Sequence, residues 1–175
     1  MHGVVYQQLI MFIRENHGQQ ILEEICTNAG LDYRTYNATK SYPDQDIEKI
    51  VKEICVKLNI DRDAALEAFG EYIGPALLRM YRMSIKADWG ALDLLENIES
   101  TIHRTVRLNN PEASPPALKV QRTNVNEVII NYSSMRHMIH LGIGIVKVIG
   151  KHYNTQLNIE KKREADQHIL IISAN

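Results

Sequence analysis

Around Asn109-Asn110-Pro111 and Ser114-Pro115-Pro116 the hydrophobic period of this 175-residue chain changes from that of helices to that of strands. Proline lacks the amide donor that a helix needs and clashes with the preceding turn, so no helix crosses this connector. Before it, apolar residues recur at steps of three and four. Val4, Val5, Leu9, Ile10, Phe12 and Ile13 predict a helix halting near Gly18. A second runs from about Gln19 to Ala29 on Ile21, Leu22, Ile25 and Cys26, with Gly30 as its left-handed terminator. Tyr33 to Pro43 reads as a connector. Asp44 is the expected N-cap of a helix carrying Ile47, Ile50, Val51, Ile54, Cys55 and Leu58, and Asp61 caps another that leads to Gly70. A less regular segment through Gly74-Pro75 and Met80 to Trp89-Gly90 is expected before a strong helix from Leu92 to about Leu108.

Beyond the connector, side chains alternate. Ala117 to Arg122 and Glu127 to Tyr132 flank a hairpin turn at Thr123-Asn124-Val125-Asn126, Met138 to Tyr153 returns to helical spacing, and Gln156 to Lys161 and Gln167 to Ile172 form two last strands. In the helix, Gly142 and Gly144 permit something to approach the backbone closely. The expected class is α+β, an amino-terminal helical part followed by helices and a ββαββ unit with a four-stranded antiparallel sheet. The length suits one well-cored domain over 1–175, its helical part about 1–60 and the remainder about 61–175. A net charge of -1 provides no global field for nucleic acid or an anionic membrane. No apolar run approaches a membrane span and the first eight residues lack signal-peptide character, so a cytoplasmic location is expected. Cys26 and Cys55 have no paired spacing and read as buried free thiols.

Tyr132-Ser133-Ser134-Met135-Arg136 carries the clearest chemistry. Read as strand, it points Tyr132, Ser134 and Arg136 to one side, and a phenol, a hydroxyl and a guanidinium there suit carboxylates or phosphates, or else a solvated face. His103 lies among Leu94, Leu95, Ile98, Ile102 and Val106 on a mostly apolar helix. Such an imidazole either ligates a metal or cofactor iron or bonds a backbone carbonyl as a structural histidine. His137 and His140, three apart with no third ligand, read as surface histidines. With no nucleophile beside a base, no phosphate loop and no clustered carboxylates, an enzyme is the least favoured class.

Taken together, His103 on its apolar helix, Pro116 thirteen residues later and Tyr132-x-Ser134-x-Arg136 after that resemble the heme nitric oxide/oxygen binding family, H-NOX, which includes the heme domain of the soluble guanylate cyclase β subunit. Met1-x-Gly3, Ala29-Gly30-Leu31, Phe69-Gly70-Glu71-Tyr72 and Gly144 extend the resemblance over the whole chain. It implies an H-NOX fold enclosing heme b, with His103 as proximal ligand of the ferrous iron through Nε2. Tyr132, Ser134 and Arg136 would hold the propionates, and Pro116 would press the porphyrin out of plane. Relatives that hold dioxygen carry a distal tyrosine where this chain has Leu141. The other matching pocket positions are Val5, Leu9, Ile73 and Ile145, and none of the five can donate a hydrogen bond. The resemblance therefore implies a sensor, not an enzyme, that binds nitric oxide and carbon monoxide and excludes dioxygen, Tyr6 and Tyr72 being the alternative phenols. Nitric oxide would release His103 and its helix. No output domain follows Asn175, so the expected partner is separate, a histidine kinase or a cyclic-di-GMP enzyme. No cysteine follows Cys55, and the cysteine-rich zinc site of some relatives is not expected. A heme-free adaptor of the same fold and a dioxygen sensor are the competing readings.

Overall fold

Short-range capping and long-range charge pairing divide the helix starts between them. A computed structural model describes residues 1–111, 113–164 and 167–175. Besides two short 3-10 turns, Tyr33–Thr35 and Arg82–Ser84, its elements in order are α1 (Gly3–His17), α2 (Gln19–Asn28), α3 (Asp44–Leu58), α4 (Arg62–Met80), α5 (Ala91–Asn97), a π-helical turn (Glu99–His103), α6 (Arg104–Asn109), β1 (Ala117–Asn124), β2 (Glu127–Ser133), α7 (Ile139–His152), β3 (Leu157–Glu164) and β4 (Gln167–Ala174). At α4 the expected cap is present, since Asp61 Oδ1 accepts the Ala64 amide at 2.9 Å. At α3 it is not. The helix begins at Asp44 itself, whose carboxylate turns to the Met1 ammonium and the Arg136 guanidinium, each at 2.7 Å. A carboxylate gains more from two cations than from a neutral amide.

Two helices depart from their expected course. α4 does not stop near Gly70 but continues through Gly74-Pro75 to Met80. The lost proline hydrogen bond is offset by packing on α7, where the two backbones meet with no side chain between them. A Cβ added at Gly144 would lie 2.2 Å from the Glu67 carbonyl oxygen, and one at Gly70 would lie 2.2 Å from that of Leu141. Gly142 plays no such part, as a Cβ there would have nothing within 4 Å among the described residues. The expected Leu92 to Leu108 helix is broken into α5 and α6 by the π-helical turn, within which the His103 amide donates to the Ile98 carbonyl at 3.0 Å. Such turns insert one residue into the helical repeat and often mark functional sites.

The sheet is antiparallel throughout with order β1-β2-β4-β3, so the ββαββ expectation holds. Val128, Ile130 and Tyr132 alternate onto the buried face of β2 and join Leu170 and Ile172 of β4 against α5 and α7. A second core gathers apolar residues of α1, α2, α3 and α4 around Leu9, Leu22, Ile50 and Phe69. Cys26 is buried and Cys55 half-buried, both free, and burial pushes the Cys26 thiol up to about 11. Among the described residues no helix is long and apolar enough to cross a membrane.

Candidate functional site

Strand β2 ends at Ser133, so the expected strand face of three side chains holds only for Tyr132. The ladder runs out of partners, for β1 starts at Ala117 opposite Ser133, and β4 pairs with Tyr132 through His168. The backbone then turns. Ser134 Oγ accepts the Arg136 amide at 3.2 Å, and His137 adopts a left-handed φ of 50°. From α4, Arg62 donates to the Arg136 and His137 carbonyls at 3.3 and 3.0 Å while pairing with Glu48 of α3 at 2.8 Å. Tyr132, Ser134 and Arg136 are thus brought together by a turn pinned from two helices. The Tyr132 phenol is 7 % exposed and its pKa is raised by burial, with a hydrogen bond to Ser134 acting in the opposite sense.

Arg136 spends part of its fork inside the protein, Nε on Asp44 Oδ2 and one terminal nitrogen on the Ser114 carbonyl. Burial acts to raise the Asp44 pKa, but hydrogen bonds from the Met1 ammonium and Arg136 outweigh it and leave the carboxyl below its ordinary range. A depressed folded-state pKa adds stability that is present above the unfolded value, near pH 4, and lost as pH falls through the folded value. Asp44 is 42 % exposed, so solvent screening limits the effect. Asp44→Asn is expected to lower stability by about 1 kcal/mol at pH 7 and by almost nothing near pH 2, in urea unfolding at low salt.

His103 sits on the π-helical turn with its side chain 13 % exposed. Its Nδ1 lies 2.8 Å from Glu99 Oε2. Glu99 also accepts from Arg107 of α6 and from the Leu118 amide of β1, the latter at 3.2 Å. Burial lowers the His103 pKa, with the Glu99 hydrogen bond and the Pro116 backbone opposing it, so the neutral ring is favoured. A cleft of about 360 Å³ is lined by Glu99, the partner of His103, and by Leu118, Asn131 and Tyr132 of β1 and β2.

Val5, Leu9, Ile73, Leu141 and Ile145 all belong to the amino-terminal core, Leu9 and Ile73 fully buried within it. Neither alternative phenol is free to serve them. Tyr6 Oη donates to the Pro43 carbonyl at 2.5 Å while its ring stacks on Tyr36, and Tyr72 Oη donates to Glu15 at 2.7 Å. Of the two expected surface histidines, His137 is exposed but His140 is not. Its side chain is 15 % exposed and lies between Asp63 at 3.1 Å and Glu67 at 3.6 Å, because the first turn of α7 packs on α4. Among the described residues no group of three metal-ligating side chains is found.

Two participants, Glu99 and Asp44, escaped the sequence reading. Glu99 stands four residues before His103, the helical spacing at which side chains meet, and that signal was available. Asp44 is 92 residues from Arg136 and has no local signature.

The class of protein, heme-binding gas-sensor domains, follows from a family match. The Haem-NO-binding family model matches residues 2–161, and the chain belongs to that family. Its fold is similar to that of the Fe(II) unliganded H-NOX protein from K. algicida, with TM-score 0.93 and 21% identity over 100% of this chain and 97% of that one. It is equally similar to the H-NOX protein from S. oneidensis in the Fe(II)NO ligation state, with TM-score 0.92 and 22% identity over 100% and 99% of the two chains. Soluble guanylate cyclase 89Da of Drosophila melanogaster is 20% identical over 142 residues, 78% of this chain; the chain spans only 20% of that relative's length.

The donor chemistry suits heme. One imidazole nitrogen is engaged by a carboxylate, a phenol, a hydroxyl and a guanidinium converge on one turn, and an apolar cluster lies on α1, α4 and α7.

Proposed function

We propose that this domain senses nitric oxide and carbon monoxide through heme b and discriminates against dioxygen. When bound, heme supplies a ferrous iron able to take a diatomic gas. His103 Nε2 would hold that iron. Tyr132, Ser134 and Arg136 would receive the propionates, Arg136 contributing most because charge-assisted bonds to carboxylate are roughly twice as strong as neutral ones. Pro116, whose backbone acts on the His103 ring, would press on the porphyrin. Val5, Leu9, Ile73, Leu141 and Ile145 would form the gas-binding wall.

The observation that carries the selectivity is the commitment of both candidate phenols elsewhere, Tyr6 to Pro43 and Tyr72 to Glu15. Bound dioxygen is polarised and gains from a hydrogen-bond donor, whereas nitric oxide and carbon monoxide need one far less. The signal would leave through His103 and its helix to a partner protein, a histidine kinase or a cyclic-di-GMP enzyme, without catalysis by the domain itself.

Reduced, heme-loaded protein is expected to shift its Soret band on adding nitric oxide or carbon monoxide and to form no stable adduct in air-saturated buffer. A persistent oxygenated spectrum would remove the selectivity, and an apoprotein that takes up no heme would favour the adaptor instead.

A further inference from the structure

We propose that Glu99 is a positioning residue for His103, fixing the tautomer of the imidazole and strengthening its bond to iron; this rests on the heme reading above. The geometry is a built relay. Glu99 and His103 occupy the two ends of the π-helical turn, with Nδ1 2.8 Å from Oε2. The carboxylate is held from two further directions, by Arg107 one turn on and by the Leu118 amide at the start of β1. The Arg107 guanidinium and the Leu118 amide can only donate, and together they favour the ionised form of the carboxylate, which can only accept. Nδ1 must then carry the hydrogen. Nε2 is left with its lone pair, which is the state a metal requires.

A carboxylate behind a ligating histidine does more than choose the tautomer. It draws the Nδ1 hydrogen towards itself, makes the ring a stronger donor, and through it stabilises ferric over ferrous iron. Glu99 would therefore set how readily His103 lets go of iron, the event on which signalling depends. Arg107 opposes this, because its charge competes with the imidazole for the same carboxylate. The two residues should act with opposite signs.

The test uses heme-loaded protein and reads the iron–histidine stretching frequency by resonance Raman, together with the midpoint potential. Glu99→Gln keeps the shape and an acceptor oxygen but removes the charge. It is expected to lower the stretching frequency and shift the ferric-to-ferrous partition towards ferrous iron by about tenfold, about 59 mV for a one-electron couple. Arg107→Gln should raise the frequency and lower the potential. A merely structural role for Glu99 would loosen the turn in both variants and move the frequency the same way. Equal or absent frequency shifts in the two loaded variants overturn this inference and leave heme binding intact. Failure of the wild-type chain to bind heme, or heme binding that does not depend on His103, overturns both.

Discussion

Gly144→Ala is expected to lower stability by about 2 to 3 kcal/mol, while Gly142→Ala, two positions earlier on the same helix, leaves it unchanged or raises it by up to about 1 kcal/mol. The opposite signs follow from what each new methyl group meets. At Gly144 it would stand 2.2 Å from the Glu67 carbonyl oxygen, 2.7 Å from the Glu71 amide nitrogen and 2.8 Å from the Gly70 Cα. All three are backbone atoms, so no side chain can rotate aside and α4 must separate from α7. At Gly142 the methyl group meets nothing within 4 Å among the described residues, and alanine's better helix propensity is the remaining effect. Urea unfolding of the apoprotein measures both. Midpoints displaced equally by the two substitutions would contradict the close crossing. Leu141 and Ile145 of α7 share the apolar core with Ile73 of α4, so the same crossing would set the proposed gas-binding wall.

The second large effect is expected at His103. His103→Gly should weaken heme binding by at least about 100-fold, since losing even an outer partner of a metal ligand costs 10- to 100-fold. Exogenous imidazole should restore heme content and the absorption spectrum, because it replaces the ligand. It should not restore the link between iron and helix. Hydrogen exchange over residues 91–109 reads that link without any partner protein. In the wild type nitric oxide is expected to speed exchange there as the histidine is released, and in the imidazole-rescued variant exchange should not respond. An equal response in both would place the signal on a route other than this helix.

What could be read in advance followed the range of the interactions. The π-helical turn was hidden because Leu94, Leu95, Ile98, Ile102 and Val106 keep helical spacing well enough to imitate an uninterrupted helix. Proline is an unfavourable local event within a helix, and the α7 backbone packed against α4 compensates for it, a gain with no local signature. Tyr132-x-Ser134-x-Arg136 has the period of a strand, yet the chain turns after Ser133. For α4 and for the turn after Ser133 the local pattern was real and contacts from distant elements overruled it.

By itself the sequence determined the α+β order of elements, the break at the diproline, the single cap at Asp61 and the family, since these rest on neighbouring residues or on motifs that survive as text. Only the tertiary structure decided that Arg136 would lie on Asp44, that Glu99 would stand behind His103 tied to α6 and β1, and that Tyr6 and Tyr72 would be spent away from the apolar cluster. A hydrogen bond is specified by distance and direction within a few tenths of an ångström. No spacing along a chain carries that information across tens of residues.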